Sequence, residues 1–363
     1  MLKRLRYVIL FAVPALFAAV FYLVVPRSEA FAAGADRLIG EPWRLAAGTV
    51  TARLPFALVE VLAAVLIISL LYIIVRMILP HGRKRALRGL VAWCAVVAYG
   101  AVTFLWVWCP AYFAPPLYTD VLTGRGITVA ELTAAAELFR EGANRTASAV
   151  PRSSDGDINI SVQEIIRQST GVFDNLSAEF PRLGRSTAVP KRLIISALMS
   201  RTGYTGIYFA LTGEANLNTQ MPRELFASTM AHELAHSRGV TREDAANFFG
   251  IAACVTSDIP IFEYSGYLDG LIHLGNALYK ASPSEYYAFS ASYSDLVRND
   301  LKNHSDYWTA IAERNEASPV MSAVSTAVNT AYDGFLRSNG QEEGLRTYGE
   351  CVDLIVEWIV AKQ

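Results

Sequence analysis

Three long apolar runs fill the first third of the chain, and the rest alternates apolar and polar positions mostly at helical spacing. Tyr7 to Val25 carries no charge over nineteen residues, enough to cross a thin bilayer as a helix. Leu54 to Leu79 is the second run, and Gly89 to Trp108 the third, ending in Phe104, Trp106 and Trp108 before Pro110. The pattern predicts membrane spans near 7–25, 54–79 and 89–108 within a membrane region 1–110. Glu60, about two turns into the second span, is a candidate functional or pairing group, because an ionisable residue in a membrane helix needs a reason to be there. Arg76 near the other end reads as a snorkelling side chain.

Past the membrane region, 111–128 reads as a linker with Pro115, Pro116, Gly124 and Gly126. Val129 to Asn144 is an amphipathic helix, and Ser161 to Phe180 another, with Ser161 and Glu164 placed for a capping box. Leu193 to Met199 fits a strand or a short helix. Thr202 to Thr212 has the aromatic and branched content of a strand, and Gly213 to Asn218 follows it as a second arm. Helices are expected at 258–281, 283–301, 305–317, 319–337 and 341–361. The expected fold is mainly α: three transmembrane helices, then a mostly helical zincin-like domain over 129–363 with a small β element.

Charge sets the orientation. Met1-Leu-Lys-Arg-Leu-Arg6 and the loop His81-Gly-Arg-Lys-Arg-Ala-Leu-Arg88 are the basic segments flanking the spans, so the amino terminus and the 81–88 loop are expected inside, with 26–51 and everything after about 111 outside. Ala30-Phe-Ala32 offers small residues for signal cleavage, which would remove the first span and leave the later placement unchanged. Hydrophobic residues make up 53% of the chain and formal charge is -1, so membrane lipid is the expected neighbour and nucleic acid is not a partner. Arg182, Arg185, Lys191 and Arg192 read as a solvated face or a contact for anionic lipid heads. Four cysteines lack metal-ligand spacing; Cys254 and Cys351 read as a pair or as two buried thiols.

The chemistry concentrates in Ser228-Thr-Met-Ala-His-Glu-Leu-Ala-His-Ser-Arg-Gly239. His232 and His236, four residues apart on a helix, share one face and can share one metal ion, while Glu233 reaches the water on that metal as general base. Gly239 ends the helix, and a second helix capped by Thr241 offers Glu243 as third ligand, with Asp244 as its rival. Asn247, one turn after Glu243, is placed to hydrogen-bond a ligand. Zn2+ is the expected ion. Glu214 and Asn216 are polar candidates for the cleft, and the 202–212 strand could hold an extended substrate through its backbone. Tyr204, Tyr208, Tyr264 and Tyr286 are equally ranked as transition-state donors. His273 and His304 are isolated in sequence and read as structural or exposed.

The stretches Met199-Ser200, Gly206-Ile-Tyr208, Thr212-Gly-Glu-Ala-Asn216, His232-Glu-Leu-Ala-His236, Gly239, Arg242-Glu-Asp244, Ala246-Asn-Phe248 and Asn339-Gly-Gln-Glu-Glu-Gly344 resemble an uncharacterised family of bacterial membrane proteins, a domain of unknown function carrying HExxH. The resemblance covers most of the chain and implies a bacterial cytoplasmic membrane. Members often carry an acid where this chain has Ala245, which leaves Glu243 ahead as ligand. More broadly, Glu243-Asp-Ala-Ala-Asn247 is similar to the second helix of glutamate-ligand zinc metallopeptidases, with Glu243 at the ligand position and Asn247 supporting it. The departure is spacing: six residues separate His236 from Glu243, where that group usually has many more. The expectation is a membrane-anchored zinc hydrolase cleaving amide bonds of a peptide, protein or cell-wall peptide. Its rival is an inactive membrane sensor or assembly protein that keeps the zinc site; a transporter ranks below both.

Overall fold

The computed structural model describes residues 2–79, 82–341 and 351–362, with side chains described from Val8 onward. Helices α1 (Leu2–Val24), α2 (Glu29–Ala35), α3 (Glu41–Thr51), α4 (Leu58–Ile78) and α5 (Arg83–Trp108) come first. Three stretches, Val8–Arg27, Leu58–Ile78 and Arg83–Tyr112, are long and apolar enough to cross a membrane. The many exposed leucines, isoleucines and valines of α1 and α4 are what a helix solvated by lipid presents. Two indoles tie these helices together: Trp93 Nε1 donates to the Leu66 carbonyl at 3.0 Å and Trp106 Nε1 to that of Phe17 at 3.1 Å.

The polar segment 26–51 is helical rather than extended, with a π-helical turn at Asp36–Gly40 between α2 and α3. Two of its charges are paired, Arg44 meeting Asp36 through two contacts of 2.7 and 3.1 Å, so buried Arg44 keeps its hydrogen bonds. Ala32, beside the small-residue cleavage motif, is fully buried. Glu60 proves shallower than its sequence position suggests. The helix begins at Leu58, so Glu60 lies in the first turn, where the amide dipoles favour a carboxylate. The basic cluster differs from a loop in the same way: Arg83 to Arg88 form the first turns of α5, and His81 lies outside the described residues.

Contacts divide the chain into two units, the first running to Pro115 and adding Ser186–Lys191 and Phe209–Glu214, the second comprising Pro116–Arg185, Arg192–Tyr208 and the chain from Ala215. The second contains α6 (Val129–Thr146), α7 (Val162–Gln168), α8 (Asp174–Glu179), α9 (Ser196–Thr202), α10 (Phe226–Ser237), α11 (Glu243–Val255), α12 (Pro260–Ala281), α13 (Pro283–Ser290), α14 (Asp295–Glu316), α15 (Pro319–Ser338) and α16 (Cys351–Val360). Strands β1 (Lys191–Arg192), β2 (Gly206–Phe209) and β3 (Glu214–Leu217) form a small sheet in the order β1-β3-β2, with β2 at an edge.

Several boundaries differ from the sequence pattern for identifiable reasons. The helix expected over 161–180 breaks at Ser169–Phe173, where Gly171 takes φ 89°, a left-handed conformation that suits glycine. Ser161 does cap α7 through the Glu164 N–H at 3.1 Å, but the Glu164 carboxylate turns to Arg167 and Gln168 instead of closing the box. The interruption expected near 302–304 falls earlier. Ser294 caps the Val297 N–H, and α14 runs unbroken to Glu316. Among residues 341–361, the described helix is α16 alone. The 116–128 segment is fastened by Glu357 of α16, whose carboxylate accepts from the N–H groups of Thr123 and Gly124 at 2.9 and 2.8 Å.

The second unit's core is aromatic. Phe248 and Phe249 of α11 are fully buried and meet Phe180, while Trp358 of α16 closes on Phe248 at 6.0 Å. Helices α10 and α11 cross so closely that a Cβ on Gly250 would stand 2.9 Å from the His232 backbone nitrogen. Cys254 and Cys351 are both buried, and burial raises both well above the usual thiol range.

Candidate metal centre

Helix α10 turns Phe226, Ala227, Met230 and Ala231 into the core, all fully buried. Anchoring that stripe fixes the rotation of the helix, so His232 and His236, one turn apart, share another face. Their rings stand edge-on at 90° with centroids 4.7 Å apart. At Gly239 the backbone takes φ 96°, and the chain returns as α11. That helix starts at Glu243 with Arg242 before it and no side-chain cap, so Thr241 does not serve as the cap expected from sequence.

The return brings the Glu243 carboxylate to the histidines: Oε2 lies 3.2 Å from His232 Nε2 and 3.5 Å from His236 Nε2. The three ligand atoms lie within 4.8 Å of one another and could hold a metal ion. His236 Nδ1 is 2.6 Å from the Val240 carbonyl. A carbonyl only accepts, so the proton sits on Nδ1 and leaves the Nε2 lone pair facing Glu243. The Tyr332 hydroxyl of α15 donates to Glu243 Oε1 at 2.5 Å, and Oε2, buried, has no hydrogen-bond partner. A buried carboxylate oxygen left without a donor costs free energy unless a cation fills the space before it.

Electrostatics agree with that geometry. Burial alone would raise Glu243, but His236 and His232 outweigh it and hold its carboxyl below the usual range. Burial alone would lower His236, and the Glu243 carboxylate overrides it, raising the imidazole to about 9. The centre therefore draws positive charge, whether as protons or as a metal ion.

Glu233 sits beside it. Burial pushes its carboxyl up to about 7, against the lowering pull of the two imidazoles and of a hydrogen bond from the Tyr208 N–H; Oε2 has no hydrogen-bond partner. Strand β2 runs so near that a Cβ on Gly206 would lie 2.5 Å from Glu233 Oε1. A cavity of about 470 Å³ opens over His232 and Glu233. His232 keeps 13% of its side chain exposed against 2% for Glu243, so the centre is open on the His232 side. The cavity's lining falls into two groups by element: Tyr204, Gly206, Thr229 and Asn247 come from the region of β2, α10 and α11, the near wall, and Asp269, His273, His304, Trp308 and Asn329 come from α12, α14 and α15, the far wall.

The structure thus brings His232, Glu233, His236 and Glu243 together and places Asn247 at the cavity wall. Asp244 turns aside to Arg242, 3.4 Å away. Glu214 and Asn216 are not among the cavity's lining residues. Instead the Glu214 carboxylate accepts from the Leu58 and Val59 N–H groups at 2.8 and 3.0 Å, satisfying open donors at the start of α4, and Asn216 bridges to the Ile207 carbonyl at 3.3 Å. Of the four tyrosines, Tyr204 lines the cavity with a buried hydroxyl that lacks a partner. Tyr264 donates to Asp300, and Tyr286 packs against Tyr279 and Tyr287. Tyr332, Gly206 and the far wall escape sequence reasoning. The one available signal is the i,i+4 pair Asp269 and His273, 3.7 Å apart.

The model of a family described as "Protein of unknown function (DUF3810)" matches residues 41–356. No curated protein and no solved structure matches the chain. With the match extending over most of its length, the chain belongs to the DUF3810 family.

Proposed function

We propose that this protein is a membrane-anchored zinc-dependent hydrolase, a metallopeptidase of zincin-like design that cleaves amide bonds outside the bacterial cytoplasmic membrane. The observation that carries the reading is the buried Glu243 Oε2 facing the His232 and His236 Nε2 atoms at 3.2 and 3.5 Å, with the buried Glu233 carboxylate beside them. Ligand atoms about 2.0–2.1 Å from a tetrahedral zinc ion stand roughly 3.3 Å apart, and the 3.2 and 3.5 Å separations fit that size. His232, His236 and Glu243 would hold the ion, with the open side toward the cavity.

When bound, zinc supplies Lewis acidity to a carbonyl and acidifies water. Glu233 takes the proton of the attacking water and returns it to the leaving amine, a task for the buried carboxyl that stands beside the His232 and His236 imidazoles. Tyr332 holds the Glu243 carboxylate in place. Tyr204, a lining residue whose buried hydroxyl lacks a hydrogen-bond partner, is the candidate donor to a developing oxyanion. The outer backbone edge of β2 supports pairing with an extended substrate, which favours a peptide over a small amide.

The test is metal analysis and peptide hydrolysis by the purified full chain and its E233Q variant. Stoichiometric zinc with hydrolysis lost in E233Q supports the enzyme. Zinc without hydrolysis in either form moves the reading to a sensor or assembly protein.

A further inference from the structure

The far wall of the cavity carries a carboxylate, and the described lining residues include no lysine or arginine to meet it. Asp269 and His273 on α12, His304 and Trp308 on α14, and Asn329 on α15 line it. The Asp269 side chain is 24% exposed, and its ion-pair neighbour among the described residues is the His273 imidazole at 3.7 Å, beyond hydrogen-bond reach. His304 Nδ1 is buried without a hydrogen-bond partner, and Asp269 is the charge that acts on that ring. Trp308 stands edge-on to His304 with centroids 6.2 Å apart. A partly desolvated carboxylate beside an unused imidazole nitrogen and an indole suits an organic cation: the carboxylate offers an ion pair and the aromatic face a cation–π surface. An anionic group placed at Asp269 would meet like charge there.

Building on the hydrolase reading, we propose that the far wall is a specificity subsite for a cationic group of the substrate, an ammonium or guanidinium held by Asp269. The chemistry is shared by lysine-type side chains, arginine and a free peptide amino terminus, and the three are separable by experiment.

Fluorogenic peptides carrying lysine, arginine, norleucine, acetyl-lysine or glutamate at each position, with the amino terminus free or acetylated, are offered to the detergent-solubilised full chain. A cation at one position is expected to raise kcat/KM about tenfold over norleucine, the scale of a hydrogen bond to a charged group. D269N is expected to bring that ratio to about one, and D269E to restore part of it. The same preference is read as equilibrium binding of the lysine and norleucine peptides to the E233Q variant, which separates this subsite from turnover. If no peptide is hydrolysed but the lysine peptide binds E233Q more tightly, and D269N in that background abolishes the difference, the subsite stands and the hydrolase reading falls. Equal binding of lysine and norleucine peptides, or an unchanged ratio in D269N, overturns the subsite.

Discussion

The two walls of the cavity are built in opposite ways. The three metal-ligand candidates and the proposed base beside the near wall come from His232 to Glu243, twelve consecutive residues, whereas the far wall collects side chains from α12, α14 and α15. The first depends on one helical elbow and is fixed by local spacing. The second exists only after distant helices pack. A short contiguous segment can specify reaction chemistry, while the recognition of what reacts is left to tertiary structure.

The largest expected effect isolates the near wall: E233Q lowers turnover by roughly 10²–10⁴-fold, the usual range for a general acid–base group, with zinc content unchanged by elemental analysis. Next, E243Q weakens zinc binding by about 100-fold in chelator competition, while D244N leaves it within about twofold, an order set by ligation against supporting contacts. The reverse order would transfer the ligand role to Asp244 and break the local construction of that wall. Y332F follows at about tenfold in zinc affinity, because its hydroxyl orients Glu243 rather than the metal. On the far wall, W308A raises KM about fivefold, roughly 1 kcal/mol of lost contact, and leaves zinc occupancy intact; loss of zinc there would erase the distinction between the walls. The smallest change lies outside both: E214Q costs about 1 kcal/mol of thermal stability through weaker capping of α4, with peptide cleavage and zinc retained.

What could be read from the sequence follows the same division. His232, Glu233 and His236 were legible because helix periodicity suffices to place them, while the glycine turn narrowed the third ligand to Glu243 or Asp244 and left the choice to packing. The three apolar helices were legible because length and hydropathy are properties of single segments. His273 and His304 read as isolated because they are distant in sequence from the motif, although packing sets them at the same cavity. Glu214 misled for a related reason. A polar residue beside a strand near the motif suggests a cleft, but its partners, the N–H groups of Leu58 and Val59, lie more than 150 residues upstream. Boundaries set by side-chain competition were also hidden: Glu164 could have closed a capping box, and the arginine one turn on takes its carboxylate.

The short return at Gly239 has a consequence for how an ion would act on the folded chain. The cost of closing a loop grows with the logarithm of its length, and only six residues lie between His236 and Glu243. Most of the entropy of gathering the ligands is therefore spent within a single turn, and little remains for metal to recover from the unfolded ensemble. An ion seated there works as a clasp on one elbow, leaving the aromatic core around Phe180, Phe248 and Trp358 to hold the domain without it.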